Sequence, residues 1–74
     1  MSPAETGGVL VNGAPQPLPA DGRLVTVLSA MGISATTAGV AVAVNEAIVP
    51  RARWEAAQLR PGDRIEIVRA VQGG

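Results

Sequence analysis

The sequence predicts an α+β domain in which one helix crosses a single mixed sheet. Three observations carry this reading. Asn12-Gly13 follows a short apolar run, Val9-Leu10-Val11, as a hairpin turn would. Leu24, Val27, Leu28 and Met31 recur at the spacing of one helix face. Near the end, Ile65 and Ile67 alternate with Arg64 and Glu66, the two-residue period of a half-buried strand.

The first strand is expected at residues 9–11, and the Asn12-Gly13 turn supplies the two positive-φ positions of a type I′ hairpin. The chain returns through residues 16–18. Pro15 and Pro17 lack N–H donors there, so that strand belongs at a sheet edge. Asp21 stands just before the helical segment as a cap, and Gly32 stands where the helix must stop. Thr26 and Ser29 fall on the outward face, and residues 33–38 read as a loop of small side chains.

Residues 40–44 are apolar at both parities, which predicts a strand placed centrally in the sheet. Asn45-Glu46-Ala47 reads as a turn, Ile48-Val49 as the returning strand and Pro50 as its end. Residues 51–58 suggest a short helical turn anchored by Trp54, the only aromatic residue in the chain. Arg60-Pro61-Gly62-Asp63 is a turn before the final strand. With that strand lying parallel beside the first, the element order gives the β-grasp arrangement. Leu24, Val27, Leu28 and Met31 would then pack on Val11, Val42, Ile65 and Ile67.

Composition narrows function. Seventy-four residues allow one domain. Formal charge is zero, and Arg51 and Arg53, the only close basic pair, read as surface charges flanked by Glu46 and Glu55. A nucleic-acid partner, which needs a basic stripe, is not expected. No apolar run reaches membrane-spanning length, and the first residues lack the basic start and apolar run of a secretory signal, so the cytoplasm is expected. His, Cys and Lys are all absent. Their absence removes the usual general base, thiol nucleophiles, thiolate metal sites and Schiff-base chemistry. The scattered carboxylates Asp21, Glu46, Glu55, Asp63 and Glu66 form no pair in sequence and read as surface charges.

The segments Val11-Asn12-Gly13, VAVAVNEAIVP at residues 40–50 followed by Trp54, and GDRIEIVRAVQGG at residues 62–74 resemble the ThiS family of sulfur carriers in thiamine biosynthesis. The resemblance runs from Val9 onward and leaves the leader unmatched. It implies a ubiquitin-like β-grasp domain over residues 9–70 and a flexible functional tail at 71–74, while Pro3 and Gly7-Gly8 make residues 1–8 read as a disordered leader. It also implies adenylation by a ThiF-type adenylyltransferase and delivery of sulfur to a thiazole synthase, with a donor such as a cysteine desulfurase. The carrier would bind no cofactor, ATP being consumed by the activating enzyme.

The tail's chemistry fits that role without any catalytic side chain. A carboxylate resists attack, and joining Gly74 to AMP supplies a leaving group. Sulfur transfer then leaves a thiocarboxylate, an anionic and soft nucleophile. Lacking Cβ, Gly73 and Gly74 can extend down a narrow channel, preceded by Gln72. Val68, Ala70 and Val71 read either as a small apolar dock for partners or as ordinary strand-end packing. Trp54 is assigned to packing. The alternatives in view are the small subunit of molybdopterin synthase, which shares the fold and tail, a ubiquitin-like modifier, and a plain interaction module.

Overall fold

The computed structural model describes residues 7–70; residues 1–6 of the leader and Val71, Gln72, Gly73 and Gly74 lie outside the described residues. Its strands are β1 (Gly8–Val11), β2 (Ala14–Pro17), β3 (Val40–Val44), β4 (Ala47–Ile48) and β5 (Arg64–Arg69), with one helix, α1 (Leu24–Ala30). They form one five-stranded sheet in the order β2-β1-β5-β3-β4. β1 pairs parallel with β5, placing Val11 opposite Ile65. The expected mixed sheet is present, with β5 at its centre.

The first hairpin turns at Asn12-Gly13 as expected; the second turns in two residues, Asn45-Glu46, with Ala47 already paired to Val44 in β4 and not part of the turn. Asn12 and Gly13 take φ of 50° and 81°, and Asn45 and Glu46 take 51° and 71°. Positive φ at both central positions is the type I′ requirement. β1 starts at Gly8, one residue before the expected domain boundary, and β2 covers residues 14–17 rather than 16–18. β2 is an edge strand with all four residues exposed, and its two prolines face that edge at no cost to the ladder.

Each hairpin asparagine also grips β5. The Asn12 carboxamide accepts the Ile67 N–H at 2.8 Å and donates to the Ile67 carbonyl at 3.2 Å. It continues the parallel ladder after the backbone of β1 has turned away. The Asn12 N–H itself donates to the Ile65 carbonyl at 2.8 Å. On the other flank, Asn45 accepts the Arg64 N–H at 2.9 Å through its side chain and donates to the Arg64 carbonyl at 2.7 Å through its backbone.

A seven-residue helix has little stability of its own, so α1 depends on its ends and its buried face. Asp21 accepts the Arg23 N–H at 3.0 Å and the Thr26 hydroxyl at 2.7 Å, although Arg23 occupies the cap position. At the other end the Gly32 N–H donates to Ser29 and the Ile33 N–H to Leu28. This is a Schellman stop, with Gly32 at φ 78°. It carries Ile33 back into the core at 2% exposure, so Ile33 is a core residue and not part of a surface loop. Met31 pairs with no core position: it lies past the last helical turn and is 40% exposed, contrary to expectation.

The core lies between α1 and one face of the sheet. Leu24, Val27 and Leu28 meet Val9, Val11, Val42, Ile65 and Ile67, all buried. Trp54 closes one end at 1% exposure, and its indole N–H donates to the Val49 carbonyl at 3.0 Å. It follows a short 3-10 turn at Arg51–Arg53. Arg51 is more than a surface charge. Its guanidinium stacks 4.4 Å from the Trp54 ring centre and donates to the Ala35 carbonyl at 2.7 Å. It thereby ties the 34–38 loop to the core's aromatic anchor.

Two predictions follow from these contacts. Asn12→Gly keeps the turn's positive φ but leaves both Ile67 backbone groups unpaired, and urea unfolding should show a loss of about 1–3 kcal/mol. The Asp21 carboxyl is held below its ordinary value of 3.8 by the Thr26 hydroxyl and then the Arg23 N–H. A depressed folded-state pKa contributes stability above the unfolded value, and this is lost as pH falls through the folded one. Melting of Asp21→Asn, followed from pH about 5 down to about 2, should therefore depend less steeply on pH than melting of the parent.

Candidate functional site

The site is the open face of the sheet and the end of β5, from which the chain leads to Gly74. Register sets which side chains share that face. Ala43 lies opposite both Ile48 and Glu66, and Ala41 opposite Val68. Val42 and Ile67 point to the core, so Ala41, Ala43, Ile48, Glu66 and Val68 point away from it. Ile48 and Val68 are 71% and 64% exposed, unusual for large aliphatics, and only small alanines separate them. The result is a shallow apolar strip across β4, β3 and β5. An exposed Glu46–Arg64 ion pair of 3.5 Å borders it, worth about 0–1 kcal/mol at most.

β3 is an inner strand, between β5 and β4, as expected of that segment. Its apolar residues at both parities do not signal burial on both faces. Val42 alone is fully buried; Val40 and Val44 are half-buried, and Ala41 is exposed. Large residues face the core and small ones the open side, because only one face is covered by the helix.

The end of β5 is defined by Gly39. Its carbonyl accepts the Ala70 N–H at 2.6 Å, the last hydrogen bond of the described chain toward the tail. Gly39 has φ of 73°, and a Cβ built on it would lie 3.3 Å from the Ala70 Cβ. The left-handed backbone angle favours glycine, and a Cβ there would also make Ala70 shift by a few tenths of an ångström. Arg51 supports the same corner, its guanidinium 3.5 Å from the Val40 carbonyl.

Of the residues singled out from sequence, Val68 lies on the apolar strip and Ala70 at the strand's exit, both exposed. Val71, Gln72, Gly73 and Gly74 lie outside the described residues. The sequence reading missed Ile48, Gly39 and the gripping role of Asn12. Ile48 was within reach: a two-residue turn at Asn45-Glu46 pairs Val44 with Ala47 and Ala43 with Ile48, placing Ile48 opposite to Val42 in parity. Asn12 was not, since its partner lies 55 residues away. With no His, Cys or Lys anywhere in the chain, this surface carries no imidazole, thiol or amine side chain, and its charged groups are Glu46, Arg64 and Glu66.

The ThiS family model matches residues 9–74, which takes in the domain, the apolar strip and the tail. The chain belongs to the ThiS family. A crystal structure of the thiamine biosynthesis protein ThiS from Geobacter metallireducens is similar at 25% identity and a TM-score of 0.70, covering 90% of this chain and 99% of that one. A solution structure of a thiamine biosynthesis protein from the same organism gives a TM-score of 0.69 at 25% identity, over 90% of this chain and 87% of that one. A comparison with curated proteins found no match.

Gly39→Ala is expected to cost roughly 1–2 kcal/mol from its left-handed backbone angle alone. It should also speed amide exchange at Ala70 more than at Val68. Adding Ala70→Gly removes the Cβ–Cβ contact while keeping the backbone strain, so Ala70-position exchange should slow again in the double variant while most of the stability loss remains.

Proposed function

We propose that this chain is a sulfur carrier of thiamine biosynthesis that works through the carboxyl of Gly74. The observation that carries the reading is the family match extending through Gly73-Gly74, which follow in sequence from β5, the central strand of the sheet. The absence of His, Cys and Lys agrees with a protein that lends its terminus to other enzymes and is not itself an enzyme.

The Gly74 carboxylate attacks the α-phosphorus of ATP, forming an acyl adenylate and releasing pyrophosphate. The terminal sulfur of a partner's persulfide attacks the carbonyl, and AMP leaves. The resulting acyl disulfide is cleaved by a thiol, which is oxidised to a disulfide as the Gly74 thiocarboxylate is released. That sulfur bonds to an electrophilic carbon of the thiazole precursor as an acyl thioester, and water then attacks the Gly74 carbonyl, breaking its C–S bond to return the carboxylate and leave the sulfur on the precursor. ATP is a substrate of the activating partner, a ThiF-type adenylyltransferase. A cysteine desulfurase suits the persulfide's origin, and a thiazole synthase suits the acceptor. The strip of Ile48, Ala43, Ala41 and Val68 is the docking surface for these enzymes, and the cytoplasm is their common compartment. The domain carries no basic stripe, and among the described residues no helix is long and apolar enough to cross a membrane.

Incubation with ATP, a ThiF-type enzyme and a persulfide donor should replace one oxygen by sulfur in the intact mass. A mild thiol alkylator should then label the C-terminal peptide alone, since the chain has no cysteine. Removing Gly74 should abolish both signals without unfolding the domain. Val68→Asp should retain them but raise KM for adenylation about tenfold, equivalent to about 1.4 kcal/mol of docking. Sulfur acquired by the Gly74 deletion would refute the reading.

A further inference from the structure

The two flanks of β5 do not end together. Residues of even number in β5 direct their backbone groups at β3: the Arg64 carbonyl meets Asn45 and the Ala70 N–H meets Gly39. Residues of odd number direct theirs at β1: the Ile65 carbonyl meets the Asn12 N–H, and both Ile67 groups meet the Asn12 side chain. Arg69 is next in that series. Its register partner Val40 lies on the β3 flank, in the non-hydrogen-bonded kind of pair, so the Arg69 N–H and carbonyl point to the β1 flank. There the chain has already turned back at Asn12-Gly13, and no described residue bonds to them.

We propose that the enzyme that adenylates Gly74 adds an extended segment of its own to this vacated edge, pairing with the backbone of Arg69 in line with β1. The inference rests on the carrier reading above and specifies its contact. Reach is the first argument. Four residues separate Ala70 from the end of the sequence, and fully extended they span about 14 Å. An active site that holds the Gly74 carbonyl therefore brings the enzyme's surface against the end of β5. The second argument is the state of the other edges. β2 carries Pro15 and Pro17, which deny it donors, and β4 is only two residues long. The third is the surface beside the slot. Asn12, which ends the β1 ladder, also lines an apolar groove with Val11, Val27, Ala30 and Met31. A segment laid past Asn12 thus meets backbone pairing along its edge and apolar surface toward α1, so it carries an apolar side chain on its inward face.

The test is amide exchange at Arg69 in the full chain, alone and with a ThiF-type enzyme and ATP. In the free protein this amide should exchange at least tenfold faster than that of Ile67. In the complex it should slow at least tenfold. A complex that adenylates Gly74 while the Arg69 amide exchanges as in the free protein overturns the proposal and leaves the carrier reading intact. An enzyme that neither binds nor adenylates the chain overturns both. Arg69→Pro gives an independent readout, because it removes the N–H on the vacated flank and none from the β3 ladder. Measured against Arg69→Ala, which loses the same side chain, it should raise KM for adenylation at least tenfold at similar kcat. Equal KM values for the two folded variants overturn the proposal.

Discussion

β5 has to satisfy two demands that pull against each other. It is the central strand, carrying Ile65 and Ile67 into the core, and it is also the last strand before the terminus that we propose to be reactive. A strand paired along its whole length would bury the exit; one paired too little would not hold it in place. The chain resolves this with asparagines. Asn45 secures the start of β5 from the β3 side, and Asn12 secures Ile67 from the β1 side after the β1 backbone has turned away. Gly39 holds Ala70 from one flank only. Both asparagines sit at positive φ in tight turns, a conformation their side chains tolerate better than most, so turn formation and strand clamping come from the same residues.

The rest of the domain follows from that arrangement. With only one face of the sheet covered, a short helix suffices, and a Schellman stop brings Ile33 under its end. In a chain without Phe or Tyr, Trp54 closes the core, and Arg51 stacked on it reaches across to the loop that leads into Gly39. The uncovered face is free to carry Ile48 and Val68, which would be a solubility burden on a domain with no partner. Under the proposed function, structural and chemical duties are separated: the folded part is a shaped handle, and the reactive group is the carboxyl of Gly74.

Much of this was legible in the sequence because it is local. Asn12-Gly13 announced a hairpin, the prolines announced an edge, Gly32 a helix stop and the Ile65/Ile67 alternation the core strand. Whatever depended on distant partners was not legible. Nothing near Asn12 shows that its carboxamide will meet Ile67, and nothing near Arg51 shows that it will stack on Trp54 and reach Ala35. Helical spacing put Met31 on the buried face, but the helix ended one residue earlier. The alternation of Val and Ala in β3 was visible, yet its meaning, large inward and small outward, required knowing that only one face is covered. At the site, the terminal glycines and Val68 could be singled out from sequence, whereas Ile48 and Gly39 acquired meaning only through register.

The central claim is that sulfur travels on Gly74 and that the domain only presents it. Single-turnover thiazole formation tests this most directly, with isotopically labelled sulfur placed in the Gly74 thiocarboxylate and no other sulfur source supplied. The account predicts that the label appears in the thiazole while the carrier's mass returns to that of the carboxylate. Thiazole formed without the label, or label retained on the carrier while product accumulates, would contradict it.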